Sequence, residues 1–160
     1  MSELSEKVTS EFASRFDQTP VLVRSPGRIN LIGEHIDYNG GLVFPAAIDK
    51  EIVVAISKSD EGASNITALD LEDSIILNHS NLNPLTSSHW ANYPIGVVQQ
   101  LVNRGFSIPN FNLVFAGNIP IGAGLSSSAA LENGVVFALN KLFNMGLSKL
   151  EMIKVSQQAE

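Results

Sequence analysis

From Glu3 to Phe16 apolar residues return every fourth position, at Leu4, Val8, Phe12 and Phe16, which predicts one stripe of an α-helix that Pro20 keeps from extending. Beyond Pro20 the pattern shortens. Runs rich in β-branched residues at 21–23, 29–32, 42–44, 51–56, 66–69 and 74–77 alternate with turn formers and predict a first half built as sheet. Asn39-Gly40-Gly41 predicts a tight reversal needing positive φ, and Asp60-Glu61-Gly62 a second turn between strands. After Pro84 the helical period returns, with Tyr93, Val97, Val98, Leu101 and Val102 on one face that ends near Arg104-Gly105. Residues 111–115 predict a further strand in which large apolar residues alternate with others. A loop punctuated by Gly and Pro follows at 117–124, then an Ala- and Leu-rich helix over 126–143. A last helix starts at Ser148, where Glu151 three residues on completes a capping box, and it runs to Glu160 without a stop signal, as in a chain cut inside an element. Neither an internal repeat nor a linker divides the chain. The expected class is α+β, a mixed β-sheet packed against helices.

Composition narrows the function classes. With 44% apolar and 16% charged residues, the 160-residue chain can bury a core large enough to offset its conformational entropy. No window approaches the ~20 consecutive apolar residues of a membrane span, and the polar, acidic start Met1-Ser2-Glu3 is unlike a targeting peptide, so a soluble cytoplasmic protein is expected. The absence of cysteine removes disulfides, thiol nucleophiles and thiolate metal sites. A net charge of −6 opposes the basic footprint of a nucleic-acid binder, although a locally cationic site for a phosphate-bearing small molecule remains compatible with it.

Two segments carry chemistry. Gly117 to Ala130 places glycines and three successive serines, Ser126, Ser127 and Ser128, between a strand and a helix. The first N–H groups of a helix lack intrahelical partners and sit at the positive end of its dipole, so an anion such as phosphate is stabilised there. Gly122 and Gly124 remove the Cβ atoms that would keep the backbone away, and the hydroxyls can donate to phosphate oxygens or ligate magnesium. The spacing is neither G-x-x-x-x-G-K-[ST] nor G-x-G-x-x-G, since Ser127 takes the third glycine position. A serine N-cap on an ordinary helix explains the same letters. In the other segment, Arg28 to Gly41, the groups Glu34, His35 and Asp37 follow an apolar strand and precede the Asn39-Gly40-Gly41 turn. Carboxylates and an imidazole suit a cluster of sugar hydroxyls; a metal held by His-x-Asp and a solvated turn with an Arg28 surface salt bridge are the other readings.

Taken together, the two segments resemble the GHMP kinases, and among them the galactokinases. Residues 28–40 are similar to the galactokinase signature, with Ile29 and Ile36 where Val and Thr are usual, and Pro120 to Ala130 resembles the superfamily phosphate-binding motif. The likeness is collinear over the chain and includes Trp90-Ala91-Asn92-Tyr93. It implies a GHMP-kinase-like N-terminal domain over 1–160, with the rest of that domain and a C-terminal domain lying beyond. It also implies that Glu34, His35 and Asp37 hold galactose hydroxyls, and that Arg28 stands beside the catalytic aspartate as a charge-stabilising cation. Gly122, Gly124, Leu125, Ser126, Ser127 and Ser128 would cradle the phosphates of ATP, Ser128 and Glu160 would hold Mg2+, and Trp90 would border the adenine; for Trp90, core packing is the alternative.

The resemblance further implies phosphorylation of the anomeric hydroxyl of galactose by ATP in a full-length monomer. The catalytic aspartate of the family belongs to a Cys-Gly-x-Met-Asp segment beyond Glu160, so the 160 residues alone are expected to be inactive. A non-catalytic galactose and ATP sensor and an N-acetylgalactosamine kinase are the alternatives. Neither nucleic acid nor membrane is an expected partner.

Overall fold

The computed structural model describes residues 2–33, 39–86, 89–120 and 122–160. Helix α1 (Glu3–Phe16) is capped by the Ser2 side chain, which accepts from the Ser5 N–H, and it ends at Asp17 in a left-handed conformation. Among the described residues five strands follow: β1 (Val21–Ile32), β2 (Phe44–Lys58), β3 (Ser64–Ala68), β4 (Asp73–Leu77) and, after helix α2 (Asn92–Asn103), β5 (Phe111–Gly117). Helices α3 (Ser127–Phe143) and α4 (Lys149–Ala159) complete the chain, the latter opened by the Ser148–Glu151 capping box. The strands form one mixed sheet in the order β1-β2-β5-β3-β4, with β3 and β5 parallel and the other neighbours antiparallel.

Several expectations change under tertiary structure. The runs 21–23 and 29–32 are one strand, because the Pro26-Gly27 interruption is absorbed by register irregularities between Pro26 and Arg28 and between Asn30 and Ile32. An edge position makes this tolerable, since among the described residues β1 pairs with β2 alone and Pro26 lacks only an N–H. Likewise β2 continues from Phe44 through 51–56, leaving Leu42 and Val43 outside it. The connection between β1 and β2 spans 33–43, longer than a tight reversal, although Gly40 does take φ +73. Residues 60–62 join β2 to β3 without forming a hairpin, because β5 is inserted between those strands. Leu69 belongs to a 3-10 turn (Leu69–Leu71) and not to β3.

The expected strand at 111–115 forms, and residues 111–116 are buried without alternation although large apolar residues alternate with others there. The physical reason is that both faces of β2 and β5 are covered. On one face α1 sets Val8 and Phe12 against Val53, Ala55, Val114 and Ala116. On the other, α2, α3 and α4 pack against Ile52, Val54, Ile56, Leu113 and Phe115. The buried Asn112 amide is satisfied by Asn65, whose Nδ2 donates to its Oδ1 at 3.0 Å. Helix α3 lies close on the sheet at Gly134, where an added Cβ would stand 3.1 Å from Val54 and 3.3 Å from Ser25. That approach aims the head of α3 at the ends of β1 and β5.

Candidate functional site

The loop after β5 is held at both ends. Asn118 and Glu51 exchange two hydrogen bonds, Asn118 N–H to the Glu51 carbonyl at 3.1 Å and Glu51 N–H to Asn118 Oδ1 at 2.7 Å. At the far end the Arg28 N–H donates to the Leu125 carbonyl at 3.1 Å and the Arg28 guanidinium to Ser126 Oγ at 2.5 Å. Only a residue without a side chain fits between them: an added Cβ at Gly27 would stand 2.8 Å from the Leu125 carbonyl oxygen. Gly122 and Gly124 adopt φ +74 and +69, the left-handed region that a side chain disfavours.

The ordinary serine cap is not what forms. Ser126 takes the N-cap position of α3 with φ 61 and ψ 48, outside the extended conformation usual there, and its side chain makes no capping bond. Its hydroxyl serves Arg28 instead. The first turn of α3 therefore presents N–H groups without a side-chain cap, beside an exposed guanidinium, an arrangement that favours an anion by dipole and by charge.

Within the same turn, Ser128 Oγ donates to Glu160 Oε1 at 2.7 Å, joining the head of α3 to the end of α4. Glu132, four residues after Ser128 on α3, is 1% exposed, and neither carboxyl oxygen has a hydrogen-bond partner among the described residues. Burial, with repulsion from the Glu160 carboxylate added, pushes its pKa up to about 8. Glu160 acts on it through charge, since no hydrogen bond between the two is formed. A hydroxyl and two carboxyl groups are hard oxygen donors of the kind Mg2+ takes, so the residues present fit that ion.

Beside this point opens a cavity of about 350 Å3, largely apolar, lined by Ile52, Trp90, Tyr93, Phe115 and Leu131 and by the polar Asp70, Ser127 and Ser128. Trp90 is half-buried here, edge-on to Phe115 with ring centroids 5.6 Å apart, so packing and cavity lining are both true of it. Trp90, Ser127 and Ser128 thus share one cavity, with Ser126, Arg28 and Glu160 adjoining the serines. Glu34, His35 and Asp37 lie outside the described residues. Sequence reasoning missed Glu132, whose signal was an acid alone in an apolar helix four residues after Ser128, and Asp73, which bonds Trp90 and carried no signal.

Residues 10–58 match the galactokinase galactose-binding signature, and residues 92–160 match the GHMP kinases N terminal domain. The chain belongs to the GHMP kinases. Within that family it is similar to the galactokinases: 41% identical over 137 residues to that of Clostridium tetani (85% of this chain, 35% of that protein) and 43% identical over 138 residues to that of Thermosipho africanus (86% and 38%). The crystal structure of Lactococcus lactis galactokinase complexed with galactose superposes with a TM-score of 0.86 at 35% identity, covering 96% of this chain and 41% of that one. The chain therefore spans a little over a third of the length of the curated relatives it matches.

Proposed function

We propose that residues 1–160 supply the sugar-binding and phosphate-binding side of an ATP-dependent kinase that phosphorylates the anomeric hydroxyl of galactose. The observation that carries this reading is the bond between Arg28 and Ser126, which ties the segment similar to the galactose signature to the head of the serine loop. In such a transfer the attacking anomeric oxygen forms a bond to the γ-phosphorus as the bond to the β-γ bridging oxygen breaks and ADP leaves. Little covalent chemistry is asked of the protein, and positioning and charge do most of the work.

Glu34, His35 and Asp37 are assigned to the sugar hydroxyls on the family resemblance. The N–H groups from Gly122 to Ser128 and the start of α3 would hold the ATP phosphates, and Trp90, Tyr93 and Leu131 would enclose the base. Arg28, fixed by Ser126, would lie where negative charge grows on the transferring group. Ser128 and Glu160, with Glu132 behind them, would hold Mg2+. Bound there, the ion would neutralise charge on the β- and γ-phosphates. The proton of the anomeric hydroxyl is assigned, again on the resemblance, to an aspartate beyond Glu160.

Sugar-dependent ATP consumption by the full-length protein tests the reading. ADP formation with galactose, and none with N-acetylgalactosamine, is expected. Binding of galactose and ATP without turnover would instead identify a sensor, and preference for the N-acetylated sugar would identify the related kinase.

A further inference from the structure

Trp90 forms one wall of the apolar cavity, and its orientation is fixed from outside that cavity. The indole N–H donates to Asp73 Oδ2 at 2.7 Å. Asp73 opens β4, delivered by the 3-10 turn Leu69–Leu71 and by Glu72 in a left-handed conformation at φ 49. Its other oxygen accepts the Ser74 N–H at 2.8 Å, so both carboxylate oxygens already have protein donors. His89 Nε2 stands a further 3.8 Å from Oδ2. A carboxylate occupied in this way is a brace and not a ligand. The same short segment braces a second wall, because Asp70 Oδ2 accepts the Gly117 N–H at the end of β5 at 2.6 Å.

The packing of Trp90 leaves it dependent on that bond. Its ring meets Phe115 edge-on at 60° and His89 at 37°, contacts that an aromatic side chain at a half-buried position can make in more than one rotamer. A charge-assisted hydrogen bond to the indole N–H selects one of them. Restricting a side chain before a ligand arrives removes an ordering cost from binding.

We propose that Asp73 is a positioning residue for nucleotide binding: by accepting the Trp90 indole N–H it holds the ring as a flat wall against which the purine of ATP stacks, while the phosphates reach Ser127 and Ser128. The proposal rests on the reading of this cavity as the nucleotide site. The bond also holds the Asp73 carboxyl below the usual carboxylate range, in keeping with a charge committed to one donor.

The test is MgATP titration of the full-length protein by calorimetry, with the Trp90 emission, taken as the difference from Trp90→Phe, followed in parallel. Asp73→Leu is expected to weaken ATP about tenfold, equivalent to 1.4 kcal/mol, and to shift the Trp90 emission. Asp73→Asn, which keeps an acceptor oxygen, should stay near the wild-type affinity. In a Trp90→Phe background, which has no N–H to hold, Asp73→Leu should cost nothing further. If Asp73→Leu loses its circular dichroism, Asp73→Ala takes its place with the same expected shift. Wild-type affinity in Asp73→Leu, or in Asp73→Ala where that replaces it, or an equal loss in the Trp90→Phe background, overturns the inference alone. A wild-type protein that binds no ATP overturns the nucleotide-site reading and the inference with it.

Discussion

Arg28 and Ser126, 98 residues apart in the chain, are joined by a hydrogen bond from the guanidinium to the serine hydroxyl at 2.5 Å, and beside it the Arg28 N–H donates to the carbonyl of the preceding Leu125 at 3.1 Å. The pair fixes an edge strand to a glycine-rich loop through both main chain and side chain. It also explains how a serine with φ 61 is retained at the head of α3, since its hydroxyl has a cationic donor in place of a helix N–H.

Arg28 is exposed and contributes little to the core, so its removal separates chemistry from folding. Arg28→Ala in the full-length protein should lower kcat by about 10²-fold or more, the scale for removing one preorganised charge-stabilising donor. The melting temperature should change by no more than a few degrees. Steady-state kinetics and thermal melting check both, and wild-type turnover would remove Arg28 from the mechanism.

Gly27→Ala sets a methyl group 2.8 Å from the Leu125 carbonyl oxygen and 3.1 Å from the Ile48 side chain. A backbone carbonyl cannot step aside as a flexible side chain can, so the loop must move and the Arg28 N–H loses its acceptor. Urea unfolding should report roughly 1–3 kcal/mol of lost stability, the cost typical of overpacking. ATP affinity should fall in the same variant, because the displaced residues lead directly into the serines.

Glu132 gives the stability a pH dependence of defined sign. Its folded-state pKa is about 8, against 4.5 for an unperturbed glutamate, so the folded chain binds the proton more tightly than the unfolded one. That stabilisation is fully present below about pH 4.5 and is lost as pH rises through about 8. Glu132→Gln keeps the shape without the titration, so its urea midpoint should vary less between pH 5 and 8.5 than the wild type's and should exceed it at the alkaline end. A steeper profile in the variant would contradict the burial argument.

Ser128 and Glu160 are hydrogen-bonded at 2.7 Å and share the proposed cation position. Ser128→Ala should weaken Mn2+ binding in the presence of ATP about tenfold or more, the range found when supporting groups of a metal site are removed. Electron paramagnetic resonance of free Mn2+ gives that number without turnover. Unchanged Mn2+ affinity would place the cation elsewhere.

Much of this architecture was legible in local pattern. The period of Leu4, Val8, Phe12 and Phe16 marked α1, and Ser148 with Glu151 marked the head of α4, because helices are specified by side chains three or four residues apart. Strand limits were less legible. Pro26-Gly27 reads as a break, yet pairing with β2 carries β1 through it, and that partner begins a dozen residues later. The burial of 111–116 on both faces depends on α1 and α3, neither of which a local window contains.

The sequence by itself determined which groups exist for chemistry: a run of hydroxyls and glycines before a helix, an arginine on an early strand, a lone tryptophan and a terminal glutamate. Tertiary structure decided how they are used. It turned Ser126 from a cap into a partner of Arg28, set Glu160 on Ser128, buried Glu132 near the Glu160 carboxylate and so raised its pKa, and gave Trp90 its anchor at Asp73. The reason is distance along the chain. Each of these relationships, apart from the burial of Glu132, joins residues at least 17 positions apart, beyond the reach of helical or strand periodicity, and they form only when the sheet and its helices have packed.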